Sequence, residues 1–145
     1  MRNSMPDIAY TAEAISTGAG RNGRTRTPDG RIDLQLAMPK EMGGSGDGAN
    51  PEQLFAAGYA ACFHSALQLV ARTKKVEIGD SSVGARVGIG PNGSGGFGLA
   101  VTLEVVIPTL DHAAAQELAD AAHQVCPYSN AVRGNIDVDV VVTDD

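Results

Sequence analysis

Two cysteines are the residues of this sequence best suited to redox chemistry, and they lie in different settings. Cys62 stands in the middle of an apolar stretch, whereas Cys126 directly precedes Pro127. The two positions are too far apart to form a contiguous motif. Any site that uses both thiols must therefore be assembled by folding.

A cysteine that reduces a peroxide must react as a thiolate, and this requirement separates the two residues. Burial of Cys62 within an apolar helix would raise the pKa of its thiol, so a cation must reach it. Arg21, Arg24 and Arg26 lie in a loop that could supply one. Cys126 lies at the carboxyl end of a predicted helix, where the helix dipole disfavours a thiolate. We therefore expect Cys126 to react second, by attacking an oxidised Cys62 sulfur.

Other interpretations of the cysteines are open at this stage. A structural disulfide between them would contribute roughly 4 kcal/mol in the chain-entropy model. His123, three residues before Cys126, could act as a base or complete a metal-binding or hydrolase site with both cysteines. A non-enzymatic redox sensor is a further alternative that uses the same thiols. His64 is expected to face away from Cys62 as a hydrogen-bonded core or interface residue.

Length, composition and charge limit the class of protein. The chain has 145 residues, of which 43% are hydrophobic, and this fits a single domain over 1–145. A net charge of −6 argues against nucleic acids and anionic membrane surfaces as partners. The first ten residues contain no apolar segment like that of a signal peptide, so we expect a cytoplasmic protein. In a reducing compartment the thiols are more often reactive than permanently paired.

The first fifty residues carry strand and turn signals. Apolar and polar residues alternate over Ile8–Ser16 and Arg31–Met38, which predicts two half-buried strands joined as a hairpin. Between them, Gly18–Arg24 is a predicted loop and Pro28–Gly30 a predicted turn. Met42–Asn50 is rich in glycine and is predicted to be a mobile linker.

A long apolar helix is predicted to follow. Asn50 suits the N-cap, Pro51 the first helical position, and Glu52 the positive end of the helix dipole. The stretch Leu54–Ala71 contains no residue of fixed charge, but its polar residues argue against a membrane span. Such a helix must be buried nearly all round, and a dimer interface would cover its second face.

The second half of the chain predicts a hairpin, a helix and a final strand. Alternating apolar residues over 83–89 and 97–107 flank a Gly-rich turn. Asp111 is predicted to cap a helix that ends before Pro127, and residues 136–142 alternate again as a strand. Tyr128 and Ser129 are expected to pack at the end of that helix, or alternatively to line the site.

Three segments resemble the organic hydroperoxide resistance branch of the Ohr/OsmC family. They are ANPEQLFAAGYAACFHSAL (49–67), VGIGPNGSGGFGL (87–99) and VCPYSNAVRGNIDV (125–138). The resemblance covers nearly the whole chain. It implies an α+β, OsmC-like fold with antiparallel sheet hairpins, a long buried central helix and an intertwined homodimer. It also implies a thiol peroxidase that reduces alkyl and lipid hydroperoxides.

The resemblance also assigns roles to four residues. Cys62 matches the peroxidatic cysteine and Cys126 the resolving cysteine, which together form an intramolecular disulfide. Arg21 matches the arginine that lies against the thiolate, and Glu52 the glutamate that pairs with this arginine. The family disulfide is recycled by the dihydrolipoyl groups of lipoylated proteins, so such a partner is implied here, with no cofactor and no metal.

Overall fold

The structure is a computed structural model, and it describes residues 6–144. The chain folds as two compact units, one that ends at Pro51 and one that begins at Glu52. The single domain over 1–145 therefore stays a prediction. Each unit has its own three-stranded sheet, and the second unit contains the long helix.

The first unit is built around a small antiparallel sheet. Its strands, β1 (Ile15–Thr17), β2 (Arg24–Arg26) and β3 (Asp33–Gln35), are adjacent in that order. Two short 3₁₀ helices, Gly20–Asn22 and Lys40–Met42, lie in the connections. The turn at Pro28–Gly30 is confirmed, because the Gly30 amide donates to the Thr27 carbonyl and Gly30 adopts a φ of 75°.

The strand predicted over Ile8–Ser16 is wrong for most of its length. Residues 8–14 belong to no regular element, and pairing begins only where Ile15 faces Arg26. The reason is that an unpredicted strand, β2, begins at the last residue of the predicted loop. In the sheet it lies between the two segments that were expected to pair with each other. Since β2 ends where the Pro28 turn begins, the residues before Ile15 have no strand to pair with.

The long helix α1 begins at Pro51, as predicted, and continues to Thr73. The prediction that it is buried on nearly all sides includes a second copy that covers one face, and for that face it stays a prediction. The buried residues follow a helical spacing along one face: Tyr59, Phe63, Ala66, Leu67 and Ala71. The sheet and α2 can cover only one face, so apolar residues such as Leu69, which is 49% exposed, lie outside the core.

By length and composition alone, α1 is also long enough and apolar enough to cross a membrane, with a mean hydropathy of 1.4. Core helices of soluble proteins meet the same two criteria. Five of its residues belong to the core of the second unit, which is how a core helix behaves.

The second sheet contains the predicted hairpin. Strands β4 (Ser82–Pro91) and β5 (Phe97–Val106) pair in antiparallel fashion over ten residues each. The antiparallel hairpin is therefore confirmed. The last strand, β6 (Val138–Val142), pairs with β5 in parallel, so the sheet as a whole is mixed, which the sequence did not indicate. Parallel neighbours require a crossover connection, and the helices between β5 and β6 provide it.

Two helices form that crossover. Helix α2 (His112–Val125) begins after Asp111, whose carboxylate accepts a hydrogen bond of 2.8 Å from the Ala114 amide, so the predicted cap is confirmed. Helix α3 (Pro127–Val132) follows after a single residue, Cys126. The core of the second unit joins the buried faces of α1 and α2 to Val101, Leu103 and Val105 of β5.

Candidate active site

Cys62 lies on α1 at the margin of its buried face. Its side chain is half-buried and packs against the core, between the fully buried residues Tyr59 and Phe63. It is a free thiol. The helix therefore holds Cys62 at the boundary between core and surface.

Cys126 lies at the junction between α2 and α3 and is fully buried. Its amide donates to the Ala122 carbonyl, which completes α2, and its carbonyl accepts from the Asn130 amide, which begins α3. Pro127 favours this break, because it lacks an N–H to continue α2 and suits the first position of α3.

The expectation about the helix dipole at Cys126 was incomplete. The sequence predicted only the negative end of α2, but the same residue is also the N-cap of α3, whose dipole has the opposite sign there. The two helix ends therefore oppose one another at this thiol. The dipole of α2 cannot by itself assign Cys126 to the second step.

The folded chain brings the two thiols together. Burial is the largest influence on the Cys62 thiol and raises its pKa. The Tyr128 backbone amide, which donates a hydrogen bond to the Cys62 sulfur, acts in the opposite direction, and contact with the Cys126 thiol raises the pKa further. Within one chain, Cys126 thus lies against Cys62, and the Cys62 thiol favours its protonated state.

An aromatic cluster brings α3 close to α1 beside this pair. Tyr128 packs edge-on against Phe55 and at a tilt against Tyr59, with ring centroids 6.1 and 5.5 Å apart. Gly58 makes room for it, since a Cβ at this position would lie 2.6 Å from the Tyr128 hydroxyl oxygen. Close approach of the two helices, one turn before Cys62, is what allows the Tyr128 amide to reach the sulfur.

A chain of hydrogen bonds links the three helices around Cys126. The Tyr59 hydroxyl lies 2.7 Å from the Ser129 hydroxyl, which lies 2.8 Å from Nδ1 of His123. Tyr59 and Ser129 are fully buried, and His123 is half-buried. Sequence reasoning placed Tyr128 and Ser129 only as packing or lining residues. The one signal available was that His123 and Ser129 flank Cys126 at three residues on either side.

The two histidines near the cysteines have serine partners. His64 bonds through Nε2 to the Ser81 hydroxyl at 3.0 Å, which fits the expectation of a hydrogen-bonded histidine. His123 bonds to Ser129, and burial, then the Arg133 cation, lower its pKa, while Asp120 raises it. Arg133 also donates to the His123 carbonyl and to the Asn130 side chain.

The part of the chain that the structure describes contains no group of side chains arranged to bind a metal ion. Over residues 6–144, no three His, Cys, Asp or Glu side chains are grouped so as to hold a metal ion. A site built from His123 and the two cysteines is therefore not formed in this conformation. The His123 bond to Ser129 also occupies the nitrogen on that side of its ring.

The predicted arginines belong to the first unit. Arg21 is half-buried and lies in the 3₁₀ helix Gly20–Asn22. Arg24 forms a two-pronged ion pair with Asp33 across β2 and β3, with both N–O distances at 2.6 Å. Glu52 lies in the first turn of α1. The pairing of Arg21 with Glu52, and the roles of all four site residues, stay predictions.

Comparison with known proteins adds evidence over nearly the whole chain. The family model for OsmC-like proteins matches residues 44–141. The organic hydroperoxide resistance protein of Xanthomonas axonopodis pv. citri (strain 306) is 54% identical over 133 residues, which cover 90% of this chain and 92% of the relative.

Solved structures are similar over the same extent. The organic hydroperoxide resistance protein from Elizabethkingia anophelis has a TM-score of 0.91 and 48% identity, covering 97% of this chain and 100% of that one. The organic hydroperoxide resistance protein OhrB of Bacillus subtilis has a TM-score of 0.85 and 45% identity, covering 94% and 100%. The two small sheets and the long helix described above are therefore an OsmC-like α+β fold.

Proposed function

Because this chain belongs to the organic hydroperoxide resistance branch of the OsmC-like family, which supports a role in organic hydroperoxide detoxification, we propose that it is a thiol-dependent organic hydroperoxide reductase. The observation that carries the proposal is the contact between two thiols of unequal exposure. Cys62 is half-buried, whereas Cys126 is fully buried. This difference supports a mechanism in which the hydroperoxide reacts with Cys62 and the oxidised Cys62 sulfur then reacts with Cys126.

In the first step, the Cys62 thiolate attacks the terminal oxygen of the hydroperoxide. An S–O bond forms and the O–O bond breaks, so that the sulfur is oxidised by two electrons to a sulfenic acid. The departing alkoxide takes up a proton and leaves as the alcohol. The apolar side chains around Cys62 suit the alkyl or lipid part of such a substrate, although an apolar wall discriminates weakly between acyl chains.

The resting thiol pair needs activation for this step. Burial and the neighbouring Cys126 thiol raise the pKa of Cys62, so at neutral pH the uncharged thiol predominates in the absence of a further positive group. We assign this group to Arg21, held by Glu52. Its guanidinium would stabilise the thiolate and the charge that develops on the departing oxygen.

In the second step, Cys126 resolves the sulfenic acid. Its thiolate attacks the Cys62 sulfur, the S–S bond forms, the S–O bond breaks, and the hydroxide leaves as water after taking up a proton. A dithiol then reduces the disulfide by two exchange steps and is itself oxidised to a disulfide. A dihydrolipoyl group on a lipoylated protein is the reductant of this class that we propose.

Intact-mass analysis after one equivalent of an alkyl hydroperoxide tests the two roles. The wild-type chain is expected to lose about 2 Da as the disulfide forms, whereas Cys126→Ser should gain about 16 Da as the sulfenic acid at Cys62. A dimedone-type trap then labels only the variant. The assignment is wrong if Cys126→Ser turns over normally with a dithiol reductant or if its oxidation lies elsewhere than at Cys62.

Replacement of Arg21 by alanine is expected to lower kcat/KM by about a hundredfold or more, because one guanidinium serves both the thiolate and the leaving oxygen. Arg24→Ala is the matched control, since the Arg24 charge is already engaged by Asp33. Steady-state rates with cumene hydroperoxide measure both variants. Equal losses at Arg21 and Arg24 would indicate a diffuse positive field and contradict a specific contact.

We further propose that the active form is a homodimer. The outward face of α1 carries apolar residues that the single chain leaves exposed, among them Leu69. A second copy packed on this face would bury them in a twofold, self-complementary interface. This arrangement would also allow Glu52, and with it Arg21, to come from the chain opposite Cys62.

A further inference from the structure

The peroxidase steps make no use of the hydrogen-bonded chain Tyr59–Ser129–His123. Its two bonds measure 2.7 and 2.8 Å, and Tyr59 and Ser129 are fully buried. Burying three polar groups together is costly unless each bond is made, so such chains hold a defined arrangement. A titratable ring at its half-exposed end makes that arrangement sensitive to pH.

The position of the chain relative to the thiols is specific. Tyr59 precedes Cys62 by three residues on α1, and His123 and Ser129 flank Cys126 at three residues on either side. Negative charge on either cysteine acts on the Tyr59 hydroxyl, Cys126 more strongly than Cys62, and opposes its ionisation. The inner end of the chain therefore lies beside the thiol pair, and the outer end reaches the boundary of the core.

The direction of the two hydrogen bonds depends on the proton at His123. When Nδ1 carries no proton, it accepts from the Ser129 hydroxyl, which in turn accepts from Tyr59. When Nδ1 is protonated, it must donate to Ser129, and the Ser129 proton must turn toward the Tyr59 oxygen. The Tyr59 proton is then free to form a hydrogen bond with another acceptor. A cysteine thiolate, whose charge acts on the Tyr59 hydroxyl, would be such an acceptor.

We propose that His123 is a positioning residue that acts through Ser129 to set the direction of the Tyr59 hydroxyl, and so determines whether the Cys126 thiolate receives a hydrogen bond. This inference deepens the proposed function and rests on it for its biological meaning. A hydrogen bond to the thiolate increases the share of Cys126 that can attack the oxidised Cys62 sulfur. In acid, disulfide formation by Cys126 is then faster than it would be for a thiol that has no such hydrogen bond.

Several groups determine the pH at which His123 takes up its proton. Burial and the Arg133 cation lower its pKa, and the Asp120 carboxylate on the same helix raises it. From α1, Tyr59 acts on it only through Ser129. Protonation therefore occurs at a pH below the usual histidine range, and the switch operates in acid.

A peroxide-free reaction isolates the attack by Cys126. Dithiobis(nitrobenzoate) reacts first with the accessible Cys62 to give a mixed disulfide and one nitrothiolate. Cys126 then attacks the Cys62 sulfur, the internal disulfide forms and a second nitrothiolate leaves, which balances both exchanges. The rate of the second absorbance phase, followed from pH 5 to 8, reports the reactivity of Cys126 alone.

In the wild type, we expect the logarithm of this rate to fall with decreasing pH, to flatten over a short range in which His123 takes up its proton, and then to fall again along a line about fivefold above the one extrapolated from high pH. Ser129→Ala and Tyr59→Phe should fall with a uniform slope and be roughly fivefold slower than the wild type at the acid end. Ser81→Ala is the matched control, since it breaks the other histidine–serine bond, at His64, and should keep the inflection.

His123→Asn separates this role from a structural one. Asparagine places a hydrogen-bonding group near the position of Nδ1 and can hold Ser129, but it does not titrate. The variant should keep the wild-type thermal midpoint and lose the inflection. Persistence of the inflection in His123→Asn or Ser129→Ala would overturn the inference, and so would a uniform slope in the wild type.

Hydroperoxide turnover, measured in parallel, separates this inference from the proposed function. If turnover is absent but the inflections are as expected, only the proposed function is contradicted.

Discussion

Cys62→Ser is expected to abolish hydroperoxide reduction, even with excess dithiol. A serine hydroxyl has nearly the same size but does not ionise near neutral pH and cannot be oxidised to a sulfenic acid. Cys126 is not expected to replace it, because this residue is fully buried. Turnover of cumene hydroperoxide, followed by loss of peroxide, should fall to the rate of the buffer with dithiol alone.

Ala113→Ser is the matched control for this variant. It introduces the same side chain at an exposed position of α2, outside the proposed interface on α1, and should retain activity. Far-ultraviolet circular dichroism and thermal unfolding should show that both variants are folded, because Cys62 is only half-buried and serine is of similar volume. Residual turnover in Cys62→Ser with a disulfide-forming Cys126 would contradict the assignment of roles.

Local signals in the sequence were sufficient for the elements that carry the cysteines. Asn50 and Pro51 predicted where α1 begins, Asp111 predicted the start of α2, and alternation predicted the β4–β5 hairpin. Each of these features depends on a few neighbouring residues, such as a capping side chain or a proline without an N–H. The position of Cys62 on a helix and of Cys126 at a helix end follows from them.

Features that depend on non-local contacts were not predictable in the same way. The parallel pairing of β6 with β5 and the insertion of β2 into the first sheet result from how distant segments pack. The bond from Tyr59 to Ser129 joins residues 70 positions apart, and no periodicity indicates it. The second helix at Cys126 was missed because Pro127 was interpreted only as a helix end, although proline is equally suited to a helix start.

The continuous helix α1 limits how Glu52 can serve the site. Glu52 and Cys62 are ten residues apart on this unbroken helix, which corresponds to about 15 Å along its axis. One arginine could not easily hold a carboxylate and a thiolate at these two positions of the same chain. An antiparallel α1 of a second subunit would bring its own Glu52 toward Cys62. We therefore expect each site of the proposed homodimer to combine Cys62 of one chain with Glu52 of the partner subunit.

Mixing two impaired variants tests this arrangement. In a heterodimer of Cys62→Ser and Glu52→Ala, one site carries both substitutions and the other carries neither. Equal amounts that exchange freely should yield about a quarter of wild-type activity, because half of the dimers are mixed and each has one intact site. Subunit exchange is measured independently by native mass spectrometry of chains with different isotope labels, and activity is followed over the same period.

A second mixture provides the control, because the structure places both cysteines of a thiol pair in one chain. Heterodimers of Cys62→Ser and Cys126→Ser contain one defect at each site, so no complete site arises and multiple turnover should stay absent. Recovery with Glu52→Ala but not with Cys126→Ser would indicate a site in which one chain supplies both sulfurs and its partner supplies the carboxylate. If exchange is complete and Glu52→Ala gives no recovery, Glu52 acts within its own chain or outside the site, and the cross-chain arrangement is wrong.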